Sequence, residues 1–164
     1  MLAPSSSGPI VSNTTPLIAL TGVGMLDLLP TLSGQSIIPT VVYQEFQAGR
    51  TRHPGTPDLD TQQWIIVQQA PPHPDVPPTL DAGEAEAIAL ALTLPARLIL
   101  LDERRGRQVA QKLGLKVAGS LTVLLEAKGQ GLIPLIAPVV DQMIAQGRRI
   151  SSALRQQVVV LANE

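Results

Sequence analysis

The 164-residue chain has no cysteine, which excludes disulfides, thiolate zinc sites and cysteine nucleophiles together. Aromatic residues are 2% of the chain, with single copies of Trp64, Tyr43 and Phe46. That leaves no base-stacking platform of the kind single-strand binders use. An excess of charge is also lacking: the formal net charge is −1. Any attraction to a polyanion must therefore come from local charge or from bound metal. No window reaches 18 uninterrupted apolar residues, so no membrane span is expected. The first thirteen residues, MLAPSSSGPIVSN, lack a basic stretch and a long apolar run and do not read as a signal peptide. A reducing, cytoplasmic location is the expectation these absences leave.

What is present is a globular composition, 45% apolar, in a chain long enough for one full core. The expectation is a single domain over 1–164. Its proline-rich stretch at 70–79 serves as a connector inside that domain rather than a boundary. Residues 70–78, APPHPDVPP, hold five prolines and can only be extended.

Apolar spacing and turn residues divide the rest into alternating strands and helices. A first strand covers 9–12 and stops at Asn13-Thr14-Thr15-Pro16, where proline after a capping residue signals a helix start. Gly22 and Gly24 break that helix. A second strand covers 35–38, and a helix from Pro39-Thr40 runs to about residue 48. Residues 49–60 form a polar loop, followed by a short strand at 64–67. Asp81 caps a strong helix to about 94, and a continuous apolar strand covers 98–101. A helix over 104–113 and a strand at 115–117 follow, and Ser120 caps a helix to Gly129. Two amphipathic helices complete the chain near 134–146 and 152–162. This alternation predicts a three-layer α/β/α sandwich with a central, mostly parallel sheet.

The acids fall at informative places. Asn13 and Asp102 each follow a predicted strand, at the carboxyl edge where open α/β sheets bind ligands. Glu45 stands four residues after Val41 and three after Val42, which predicts an inward-facing carboxylate. Glu84 stands three and four residues before Ala87 and Ile88 and is expected inward as well. Unpaired buried charge costs several kcal/mol. A shared divalent cation would relieve all of these carboxylates together. Taken singly, each has a plainer explanation. Glu45 suits a solvated helix face, Glu84 suits a helix first turn, and Asp102 suits a cap for the next helix.

The segments IVSNTTPLIAL (10–20), IIPTVVYQEF (37–46), LDAGEAEAIALAL (80–92) and LILLDERRGRQVA (98–110) stand in the order found in PIN domains. The chain resembles that family, in particular its small prokaryotic members. These include VapC-type toxins and predicted nucleic-acid-binding proteins. The resemblance implies an acidic site that holds Mg²⁺ or Mn²⁺ and cleaves RNA. Matched residue by residue, its acids fall on Asn13, Glu45, Glu84 and Asp102, with Asp81 and Glu103 close enough to contribute. Glu45, Glu84 and Asp102 would hold the metal. Asn13 departs from the pattern, where Asp is usual. It keeps an oxygen but removes a negative charge, which weakens the hold on a hard cation.

The expected function is a metal-dependent ribonuclease. The alternative that Asn13 keeps open is a catalytically silent PIN fold that binds nucleic acid or a protein. Residues 97–118 carry Arg97, Arg104, Arg105, Arg107, Lys112 and Lys116 against Asp102 and Glu103. Arg104, Arg105 and Arg107 are candidate phosphate contacts, and they equally suit a solvated helix face. His53 and His73 lie in proline- and glycine-rich stretches and read as surface residues. Receiver-type and nucleotide-binding α/β folds fit less well. Receivers cluster acids at strand ends without inward Glu on two helices, and the chain has no GxGxxG after a strand and no GxxxxGK[ST]. The apolar run VVVLA (158–162) and the first helix point to a homodimer, and the resemblance adds an antitoxin protein as a further partner.

Overall fold

The computed structural model describes Leu2 and residues 8–164. Five strands form its sheet: β1 (Ile10–Ser12), β2 (Ser36–Pro39), β3 (Ile65–Gln68), β4 (Leu98–Leu100) and β5 (Val117–Ala118). Their spatial order is β3-β2-β1-β4-β5, and every pairing is parallel. The sheet is thus fully rather than mostly parallel. Parallel neighbours need crossovers, and here these are helical. Eight helices flank the sheet among the described residues: α1 (Thr14–Gly22), α2 (Leu28–Ser33), α3 (Thr40–Gly49), α4 (Ala82–Thr93), α5 (Arg104–Lys112), α6 (Ser120–Gly129), α7 (Ala137–Ala145) and α8 (Ser152–Leu161).

The central strands show why both faces must be covered. On β1, Ile10 enters one hydrophobic cluster and Val11 the other. On β4, Leu98 and Leu100 join the first cluster and Ile99 the second. Successive side chains of a strand point to opposite faces, so the apolar runs IVS and LIL require a layer on each side. The first cluster takes Leu17 and Leu20 of α1, Val123 and Leu124 of α6 and Val140 of α7. The second takes Ala87, Ile88 and Leu90 of α4 with Ala110 of α5. The result is a three-layer α/β/α sandwich.

Several element boundaries differ from expectation. Helix α1 begins at Thr14, so Pro16 is its third residue rather than its first. Gly119, not Ser120, precedes the first turn of α6, in extended conformation. Helix α7 begins at Ala137, with Pro138 in its first turn, later than residue 134. The short strand β5 is Val117–Ala118 rather than 115–117. After β3, residues 69–80 contain no strand or helix, although Val76 and Leu80 pack against the second cluster. His53 is exposed and His73 is half-buried. Among the described residues no helix is long and apolar enough to cross a membrane.

Candidate active site

Because β1 and β4 are neighbours, Asn13 and Asp102 emerge side by side at the carboxyl edge of the sheet. The Asn13 backbone N–H donates to the Leu100 carbonyl at 3.1 Å. Asn13 occupies the position before α1, yet its side chain makes no capping hydrogen bond. It is 3% exposed, and its Oδ1 has no hydrogen-bond partner. That oxygen lies against Gly83 in the first turn of α4, where an added Cβ would sit 2.9 Å from it.

Glu45 reaches the same spot from α3. The Thr14 hydroxyl donates to its Oε2 at 2.5 Å, and the two carboxylate oxygens lie 3.0 and 3.3 Å from a Cβ placed on Gly83. The inward placement expected of Glu45 is wrong, since the residue is exposed. The core-facing line of α3 is Val42 and Phe46, one helical row away. Glu45 occupies the flank, at the rim of the cleft.

Glu84 is buried as expected, at 3% exposure. The Asp81 side chain caps α4 by accepting from the Glu84 backbone N–H at 2.8 Å, and the order Asp81-Ala-Gly-Glu84 matches a capping-box spacing. The Glu84 Oε1 has no hydrogen-bond partner and packs against α5, 2.6 Å from where a Cβ on Gly106 would stand. Burial pushes this carboxyl up to about 7. The charges of Asp81 and Glu103 push the same way, against the Asp81 backbone and Arg105. Oxygens of Asp81, Glu84 and Glu103 lie within 4.8 Å of one another, the group among the described residues best placed to hold a metal ion.

Asp102 is tied to α6 through one of its oxygens. Its Oδ1 accepts both the Ser120 N–H at 2.7 Å and the Ser120 hydroxyl at 3.1 Å, which ties the end of β4 to the first turn of α6. Gly119 leaves room for this contact: an added Cβ would lie 2.7 Å from Asp102 Oδ1 and 2.9 Å from Arg107 Nη1. Burial raises the Asp102 carboxyl above the usual carboxylate range. The Ser120 hydrogen bonds and the charges of Arg107 and Arg148 oppose the rise. Arg107 itself donates to the Leu101 carbonyl at 2.8 Å. Arg104 and Arg105 are exposed on the first turn of α5. The ion pairs of Arg50, Lys128 and Arg155 go to Asp58, Glu164 and Asp141, none of them a member of the expected site.

Sequence reasoning missed Thr14, Gly83, Gly106, Gly119, Ser120 and Arg148. Only a spatial signal reveals them, because each acts on an acid from a different element.

A family model described as PIN domain matches residues 9–164. The chain belongs to the PIN-domain family. No curated protein matches its sequence. Among solved structures, a PilT N-terminus domain protein from the hyperthermophilic archaeon Sulfolobus solfataricus P2 is similar in fold. It is 18% identical with a TM-score of 0.53, over 72% of this chain and 92% of that one. PIN domains are associated with nucleic acid and generally use divalent metal ions. The residues here suit such an ion. The donors are all oxygen, which hard cations take, and two buried oxygens, on Asn13 and Glu84, have no protein partner.

Proposed function

We propose that this PIN-domain chain, acting as one unit over 1–164, is a metal-dependent ribonuclease that cleaves RNA phosphodiesters with Mg²⁺ or Mn²⁺. The observation that carries the reading is Glu84, a carboxylate 3% exposed with an unpartnered oxygen, inside an acidic cluster at the ligand-binding edge of the sheet. A buried anion with no partner is costly, and a divalent cation removes that cost. Glu84 and Glu45 are the proposed metal-holding residues, with Asp102 the third acid of the family pattern and Asn13 offering a neutral oxygen. Bound there, the ion would neutralise the phosphodiester and lower the pKa of water.

The remaining tasks belong to the chain's own groups. Glu84, whose carboxyl burial raises to about 7, would give up its proton when the ion binds. Thr14 holds the Glu45 carboxylate in place through its 2.5 Å hydrogen bond. Arg104 and Arg105, exposed on the first turn of α5, are the proposed phosphate contacts. Arg107 is already committed to the Leu101 carbonyl and steadies the loop after β4.

A second reading, a silent PIN fold that binds RNA or a protein, rests on Asn13, which removes a charge from the site. A nuclease assay with Mn²⁺ on a mixed-sequence RNA decides between them. Activity in the wild type that disappears in Glu84→Gln supports the enzyme. No cleavage by either, with RNA retained in a gel shift, supports the binder. A homodimer is part of the same proposal, and the outward-facing Val160 and Leu161 of α8, 60% and 61% exposed, are its apolar contact. An antitoxin partner is proposed from the family resemblance alone. The cysteine-free sequence fits the cytoplasm.

A further inference from the structure

The family pattern assigns the last acid of the site to Asp102, but the geometry favours a different residue. One oxygen of Asp102 already accepts two hydrogen bonds from Ser120, and a guanidinium stands beside it. That leaves Asp102 only its second oxygen for a metal, and it is not among the three carboxylates whose oxygens converge. The next residue is differently placed. Glu103 precedes the first turn of α5, yet its carboxylate does not cap that helix. It turns instead toward α1, where the Thr15 hydroxyl donates to its Oε1 at 3.4 Å, and toward Asp81 and Glu84.

We propose that Glu103 and Asp81 join Glu84 in holding the divalent cation of this chain. Three observations converge on it. The three carboxylates present oxygens within 4.8 Å of one another, a spread that one ion with bonds of about 2.0–2.6 Å can span after small side-chain adjustment. The middle one, Glu84, is buried, and its Oε1 has no hydrogen-bond partner. The third observation is charge. Asn13 is neutral, so the four positions of the family pattern carry one negative charge fewer than usual. Asp81 and Glu103 restore the missing negative charge from two residues that the pattern does not include. The assignment rests on the metal-dependent reading above and specifies its ligands.

The test is calorimetric titration of the full chain with Mn²⁺, with far-ultraviolet circular dichroism as the check on folding. Four variants are compared with wild type: Glu103→Gln, Asp81→Asn, Glu84→Gln, and Glu86→Gln as a control on α4 outside the cluster. Glu103→Gln alters an exposed residue, and Asp81→Asn keeps a side chain able to cap α4, so both should fold. The expected result is a loss of Mn²⁺ affinity of about tenfold or more in each of the first three variants, with Glu86→Gln unchanged. Wild-type affinity in Glu103→Gln and Asp81→Asn, with loss in Glu84→Gln, overturns this assignment alone. A wild-type chain that takes up no Mn²⁺ overturns it together with the metal-dependent reading.

Discussion

A carboxyl group that holds its proton to about pH 7 makes the folded chain sensitive to pH in the opposite sense from an ordinary ion-paired acid. In the unfolded chain Glu84 releases its proton near the usual glutamate value, about 4.3. The native state therefore binds more protons between there and about 7. Stability from this group is fully present at the acid end of that window and is lost as pH rises through the folded value. In metal-free buffer, the urea midpoint should fall between pH 5 and pH 8. In Glu84→Gln that fall should flatten, and a slope that persists in the variant rules out Glu84 as its source. Saturating Mn²⁺ should reverse the trend, since cation and proton compete for one oxygen. Asp102 belongs to the same scale but plays another part. Replacing it with Ala strands the Ser120 N–H and hydroxyl, at a cost of about 1–3 kcal/mol for a buried group left unpaired, measurable by urea unfolding. Residue-level reading of the sequence handled Glu84 well, because Ala87 and Ile88 share its helix face. It failed for Glu45 because spacing to Val41 and Val42 does not say which helix row meets the core.

Helix α5 approaches the buried Glu84 through Gly106, and helix α4 approaches Asn13 and Glu45 through Gly83. A glycine inside a helix costs roughly 0.5–1 kcal/mol relative to alanine, so the sequence gives up helix stability at both crossings. Gly106→Ala should regain some of it while driving a methyl group into the Glu84 carboxylate, only 2.6 Å from that Cβ position. The expected outcome is a helical spectrum like that of wild type with Mn²⁺ affinity reduced at least several-fold. Unaltered affinity would show that the close approach is idle. Several helix starts were legible, among them α3 at Thr40 and α5 at Arg104, which have no side-chain cap. Asp81, which caps α4 through a side-chain hydrogen bond, was placed correctly, and α8 starts at residue 152 as expected, behind its cap Ser151. The start of α6 was misread because its first N–H is capped by Asp102 from another element, 18 residues back in the chain. No local window contains that partner.

At the scale of the whole molecule, the alternation of strands and helices made the three-layer fold legible, since parallel strands permit few other arrangements. Strand order was less accessible from spacing alone, and it decides the site. Only with β1 between β2 and β4 do Asn13, Glu45 and Glu103 come from separate segments to one edge. Self-association is tested here too. Replacing Val160 and Leu161 together with Lys should convert a dimer into a monomer in sedimentation without loss of helicity. A wild-type chain that already sediments as a monomer removes the dimer proposal.

Under the proposed metal binding, the crowding of Asp81, Glu84 and Glu103 would tie integrity to mineral supply. Starved of divalent ions, the chain holds like charges together against their repulsion, only partly offset by Arg105. Local opening should then begin at the first turns of α4 and α5, so their amides should exchange with deuterium faster after chelation than those of α6 on the far face. On that account an ion would fasten the cleft shut as well as serve its chemistry.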